Sequence, residues 1–477
     1  MRSPTDTDRG PSVAGFVPML FANLIPLVGV AIFGWEPSTV VVIYTLELLL
    51  SFPLAGVKAL FAQQPPPTDR EEGLYTLSGS ELVEKRGRVE VVDWLPPVYP
   101  RNVPFAAAVG GAAAWCGLLI GVVLSQTIPL ADVIARPEVV ASVSALFVGQ
   151  SVEVWRDYLR GGRYETVSPY TVIETPGRQA FFLVFVLFVI PGISVSVDLV
   201  FGVFVGLKLL VEWSAFRASH GEGGQLSGWL SVPDEPAESP DRPPVPDSEP
   251  VARVPTDRTS TGWTAVLYAL ANVAPTYAGW FAIVWLAVIA ILGEALSEAT
   301  VAASAVAVIG LFVAAVGLKA ATYYLRYGTV EYRRYDDMLV AYDTWLDEPQ
   351  WSTPISVLRD VEVVADRLPD RLRGTRTVSL TTGWGDDERT RQLGPVADPD
   401  ALSEAFELPV GSTDLEPLKR RGVAVMGLAV GLIVVAAGVL VVGPWPSAPA
   451  LLYLLVFMPF VSIGQKGFWS RQYSETR

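Results

Sequence analysis

One cysteine, one histidine and six lysines are all that 477 residues supply of three chemically useful types. Cys116 by itself excludes an intramolecular disulfide and a thiolate metal cage. His220, alone in the glycine-rich run His220-Gly221-Glu222-Gly223-Gly224, leaves histidine-based acid–base chemistry almost without candidates. The chain has no His-Glu-x-x-His pair, no paired intramembrane aspartates, no Gly-x-Ser-x-Gly elbow and no Walker-type phosphate loop. The expectation is therefore a protein that is not an enzyme, carries no cofactor or metal, and does not by itself couple ATP to transport. The formal charge of −14 argues against nucleic acid as a partner. An acidic chain with Arg favoured over Lys also fits a cytoplasm of molar salt, where carboxylate surfaces stay hydrated and their repulsion is screened.

What the chain has in abundance is apolar sequence. Hydrophobic residues make up 51% of it, and its mean hydropathy is +0.39. They gather in blocks of about 20 residues, the length a helix needs to cross a bilayer. No short apolar block with a small-residue cleavage site opens the chain, so the first block is expected to stay as a membrane helix. Ten spans are predicted, near 14–33, 37–60, 104–127, 138–156, 178–194, 195–213, 263–292, 298–322, 422–442 and 447–464, the seventh tilted or bent at Pro275.

Basic residues check that count. The connections near 34–37, 194–196, 293–297 and 443–446 lack Lys and Arg, and the one near 128–137 has only Arg136. The remaining basic residues fall in or beside the alternate segments. Because Lys and Arg collect on the cytoplasmic side, an even number of spans with both termini inside is expected, in the cell membrane.

The domains follow from these blocks. Residues 1–215 form a six-span membrane domain with a cytoplasmic loop at 64–103. That loop holds a capping-box spacing from Ser78 to Glu81, a strand-like piece at Arg88–Val92, and an interfacial run from Trp94 to Pro100. Residues 216–261 are rich in Pro, Asp, Glu and Ser and read as a disordered linker. A transmembrane hairpin at 262–325, a β domain at 326–410 and a second hairpin at 411–477 complete the chain. In the β domain, period-two runs at Val330–Tyr335, Met338–Leu346, Gln350–Ile355, Val361–Ala365, Arg376–Thr382 and Thr390–Leu393 predict six strands. Asp398-Pro399 then opens a helix that runs to about Leu408.

Two resemblances attach to particular residues. Tyr332-Arg333-Arg334-Tyr335-Asp336-Asp337-Met338, Pro354-Ile355 with Leu358-Arg359-Asp360-Val361, and Leu372 to Leu380 resemble the bacterial pleckstrin-homology-like (PH) domain of membrane proteins. That resemblance implies a small β-barrel or sandwich of two packed sheets closed by the C-terminal helix. Asp336-Asp337 stands where phosphoinositide-binding members carry a basic loop, so that chemistry is not implied. The N-terminal half resembles an uncharacterised polytopic membrane family frequent in halophilic archaea, through Asn23 with Pro26, Tyr44-Thr45-Leu46-Glu47, and Tyr99 to Pro104. Family members commonly have Trp where Thr45 stands.

Two groups of side chains are candidate sites. Glu47 lies near the middle of the second span, where an ionisable group is costly and turns to the bundle interior. Asn23 and Lys208 are its candidate partners, for proton coupling, cation binding or helix packing. Arg367, Arg371, Arg373 and Arg376 form a candidate surface for anionic headgroups or a protein, diluted by Asp366 and Asp370. The expected class is an integral membrane α-helical bundle of about ten transmembrane helices that presents one cytoplasmic PH-like domain. Its expected role is a non-enzymatic scaffold or sensor in contact with the lipid bilayer and with a protein partner or anionic lipid. A secondary transporter or channel using Glu47 is the other reading.

Overall fold

The structure is a computed structural model, and it describes residues 28–66, 82–125, 128–173, 242–273, 279–292, 297–364, 368–383 and 388–408, with the single positions 177 and 206. The chain forms two compact units, each assembled from separated stretches. Among the described residues, the first holds 28–66, 93–96 and 105–173, and the second holds 82–92, 97–104 and 242–408.

In the first unit, helix α1 (Pro37–Phe61) starts with Pro at its first turn, where the missing N–H costs nothing. Its buried stripe, Val40, Tyr44, Leu48, Phe52, Ala55 and Ala59, recurs at the three-to-four spacing of one helix face. Helix α2 (Val103–Leu124) follows a 3-10 turn at Pro100–Asn102. Small residues let it approach α1: Gly56 lies against Ala106, and Gly117 against Leu49. After the short α3 (Leu130–Ile134), helix α4 (Pro137–Glu153) runs directly into a π-helical stretch, Val154–Arg160. At the other end of α4, Arg136 pairs with Glu36 at 2.9 Å and donates to Thr39 Oγ1 at 3.0 Å. The one basic residue of the connections read as external is therefore neutralised by an acid, and Arg136 holds the Glu36 carboxyl below its usual range.

The second unit contains helices α5 (Arg258–Val273), α6 (Gly279–Leu292) and α7 (Glu298–Tyr327). Four strands, β1 (Ala252–Pro255), β2 (Val330–Tyr335), β3 (Met338–Asp343) and β4 (Glu348–Pro354), form an antiparallel sheet in that order. A second antiparallel sheet holds β5 (Leu358–Val363), β6 (Arg376–Thr382) and β7 (Arg389–Val396), with helix α8 (Leu368–Arg373) between β5 and β6. Helix α9 (Pro399–Ala405) is capped by Asp398, whose side chain accepts from Ala401 N at 2.9 Å. One core joins the layers: Tyr332 and Leu339 from the first sheet, Leu380 and Leu393 from the second, and Leu402 and Phe406 from the C-terminal helix. Tyr332 is buried without an orphan hydroxyl, because Oη donates to Gln392 O at 3.3 Å and accepts from Gly394 N at 3.1 Å.

Three helices among the described residues, Pro37–Phe61, Pro100–Val122 and Glu298–Tyr327, are long and apolar enough to cross a membrane. The expectation of ten spans is corrected accordingly. The span read at 138–156 is an α-helix of 17 residues that changes to π geometry at Val154. Of the span read at 263–292 the structure describes α5 as far as Val273 and α6 from Gly279, the bend expected at Pro275 lying outside the described residues, and the first turns of α5 bury Ser260, Thr261 and Thr264. Those hydroxyls face protein, so hydropathy overstates how much of α5 faces lipid. The spans at 178–194, 195–213, 422–442 and 447–464, like most of 14–33, lie outside the described residues.

All six predicted strands are present, two with the expected ends (Val330–Tyr335 and Arg376–Thr382) and four with shifted ends. Residues 344–346, read as the end of the second strand, instead turn back around Asp343. The segment read as disordered linker ends in structure: β1 pairs antiparallel with β2, and Asp257 accepts from Ser260 N at 2.6 Å as α5 begins. The strand predicted at Arg88–Val92 is a single bridge, Val89 to Val98. Ser78 and Glu81 lie outside the described residues.

Candidate functional site

Two arrangements concentrate chemistry, one in each unit. In the first unit, the π-helical stretch carries Trp155, Arg156, Asp157, Tyr158, Leu159 and Arg160. An α-helix turns about 100° per residue, which would put positions five apart roughly 140° from each other. The wider i→i+5 winding of a π turn brings them back toward one face. Arg160 accordingly lies over the ring of Trp155, 5.0 Å from its centroid. Trp94 meets Trp155 edge to face at 5.5 Å. With Pro96 and Leu159, these residues line an open cavity of about 290 Å³. Tyr158 points the other way and donates to Lys58 O at 2.7 Å, which fixes the stretch beside the last turn of α1.

In the second unit, Lys85 is buried and ion-pairs with the buried Asp343. Asp343 also accepts from Thr329 Oγ1 at 2.5 Å and from the N–H groups of Trp345 and Leu346, each at 2.8 Å. Lys85 Nζ donates in addition to Arg326 O at 3.2 Å, in the last turn of α7. The neighbouring carbonyl, Tyr327 O, accepts from Thr256 Oγ1 at 3.1 Å. Burial lowers the pKa of Lys85 and outweighs the opposing pull of Asp343. Around the pair, Gln350 and the Arg86 backbone exchange hydrogen bonds of 2.9 and 3.2 Å. Gly87, at φ +103°, packs so closely on Leu346 that an added Cβ would sit 2.8 Å from the Leu346 Cβ. Residues 82–92, which belong in sequence to the N-terminal half, are thus built into the β unit.

The predicted site residues scatter. Glu47 is half-buried on α1, two residues after the buried Thr45. Asn23 and Lys208 lie outside the described residues, so the pairing expected of them does too. Arg367 also lies outside them. Arg371 and Arg373 sit on α8 and Arg376 opens β6. Arg373 is exposed, 4.0 Å from the Asp257 carboxylate, while Arg371 is half-buried and Arg376 donates to Thr375 O at 2.9 Å. Asp370, read as an acid on that surface, is fully buried and accepts from the hydroxyls of Thr375 and Thr377 at 2.8 and 2.9 Å. The run at Trp94 was expected at the interface, and it does supply one wall of the aromatic cavity. Trp155 and Arg160 were missed, although a Trp-Arg cluster closing an apolar block is itself an interfacial signal.

Apolar helices of membrane-crossing length beside a two-sheet domain define a membrane-associated protein of mixed α and β architecture. Residues 5–226 match a family of unknown function (DUF6498), in accord with the resemblance of the N-terminal half to an uncharacterised family. No curated protein and no solved structure matches the chain.

Proposed function

We propose that this chain is a non-enzymatic membrane scaffold or sensor that holds a PH-like β domain at the cytoplasmic face. There the domain meets a protein partner or the inner lipid surface. The observation that carries this reading is the fastening of the domain to α7. Only Gly328 and Thr329 separate that apolar helix from β2. Two other chain segments cap its final carbonyls, through Lys85 and Thr256. A module fixed to a membrane helix at three points stays at the surface instead of diffusing, as assembly or sensing requires. Four strands, then three, then a closing helix support the PH-like reading.

The test uses the full chain in cells, with a photoreactive residue in place of Trp345, which is 51% exposed on the β unit. A discrete protein adduct that excess unlabelled chain competes away is the expected result, and adducts confined to phospholipid would favour the membrane-surface form. Adducts to neither would end the reading.

A secondary transporter or channel is the second reading. It draws on Glu47 and on Thr45, whose buried hydroxyl meets no hydrogen-bond partner among the described residues. Glu47→Gln in the reconstituted chain should then abolish any ion flux, and flux equal to the parent's would remove it.

A further inference from the structure

We infer that the cavity between Trp94, Trp155 and Arg160 holds the phosphate of a membrane glycerophospholipid. The inference rests on α1 crossing the bilayer, and not on the role proposed for the β domain. Three observations lead to it.

The first is level. Tyr158 ties the π stretch to the carbonyl of Lys58 in the last turn of α1, so the cavity sits where an apolar helix ends. Lipid phosphates lie at that depth, and Trp is enriched there because its ring is apolar and its N–H polar.

The second is the state of Arg160. Arg156, its neighbour, is committed to Asp157 at 3.0 Å. Arg160 makes no ion pair or hydrogen bond among the described residues and rests on the face of Trp155. A stacked guanidinium keeps its in-plane N–H edge available, and two parallel N–H groups fit two phosphate oxygens. Stacking also limits its rotamers, so less freedom is lost when an anion binds.

The third is the wall. Trp94 is 69% exposed, and Pro96 and Leu159 continue the apolar lining. Such a wall suits the glycerol and upper acyl carbons beneath a phosphate. An inorganic anion would leave it wet. The surroundings do not form a general anion trap, because Glu153 and Asp157 act on Lys58 together with Arg163, and Asp157 also pairs with Arg156. Recognition comes from the stacked fork and the apolar wall together, which selects a lipid carrying a phosphate.

The full chain, purified in detergent, is titrated with dioleoyl phosphatidylglycerol and with dioleoylglycerol, which lacks the phosphate. Bound lipid is counted by native mass spectrometry. The parent should retain the phospholipid at least tenfold more tightly than the diacylglycerol. Arg160→Gln should remove that difference by weakening the phospholipid about tenfold, and Arg160→Lys, which keeps charge without the fork, should fall between. Trp155→Ala should weaken both lipids. Equal retention of the two lipids by the parent, or unchanged phospholipid retention by a monodisperse Arg160→Gln or Arg160→Lys chain, would overturn the assignment.

Discussion

Val313 on α7 and Leu372 on α8 are both apolar and both turned outward, 61% and 76% exposed. They belong to surfaces of opposite kind. Around Val313 the exposed positions of the helix are apolar too, as at Val306, and the helix is of membrane-crossing length. Around Leu372 the chain reads Asp370, Arg371 and Arg373, and the short helix is tied to the following strand by the buried Asp370, which accepts from Thr375 and Thr377. The long apolar helices therefore carry apolar residues on their exposed faces as well, while the sheets turn theirs inward and also take charge inside. Burial alone does not separate the two regions. The solvent they are built for does.

The largest loss should come from removing the charge that the β unit has buried. Asp343→Ala removes the acceptor for Lys85, Thr329 and two backbone N–H groups, and leaves a lysine uncompensated in the interior. Breaking a buried pair from one side costs about 3–5 kcal/mol. Hydrogen exchange on the full chain in nanodiscs should show lost protection through β3 and residues 82–92. Protection through α1 and α4 should be unchanged. If α1 and α4 also lose protection, the two units are not energetically separate.

The next effect tests the solvent directly. Val313→Asp puts a carboxylate on an exposed face of a membrane helix, at a cost of about 2.5–3.5 kcal/mol toward insertion. Leu372→Asp makes the same change at a more exposed position of the β unit, where surface substitutions stay within about 0.5 kcal/mol. An insertion assay scored by membrane-integrated yield should show a strong loss for the first and none for the second. Equal yields would mean that α7 does not face lipid at Val313.

How much of this was legible follows from the same contrast. Strands such as β2 and β6 could be read because apolar and polar residues alternate along them, the period that one buried face enforces, while β3 is a continuous apolar run bounded by turn residues. Strand β1 escaped because Ala-Arg-Val-Pro is four residues long, half exposed, and set among prolines and acids. Lys85 escaped because Glu84-Lys85-Arg86 reads as a solvated charge run. Its buried partners, the Asp343 carboxylate and Arg326 O, come far later in the chain. The helices were found by hydropathy, but a hydropathy window weighs length without direction. It could not see that α5 turns hydroxyls into protein, or that Val154 begins a π turn. The candidate lipid site was half legible, with Trp94 placed at the interface and its partners missed, because the winding that aligns Trp155 with Arg160 leaves no periodic trace.

The smallest expected effect concerns the sign of the Lys85–Asp343 interaction. Burial lowers the Lys85 pKa in the folded unit, below the value near 10.4 that the unfolded chain would show. Between those two values the unfolded state binds more protons, so stability rises with pH across that window and the gain is complete above the unfolded value. Denaturant titrations of the full chain in detergent, from pH 7 to about 10, should show the β unit of the parent gaining stability relative to Lys85→Met as alkalinity increases. If attraction to Asp343 prevailed instead, the folded pKa would lie above the unfolded one and the parent would lose ground as its lysine deprotonated. The direction of that one slope therefore separates a lysine held in place by packing and backbone contacts, at some electrostatic cost, from one held by its counter-ion.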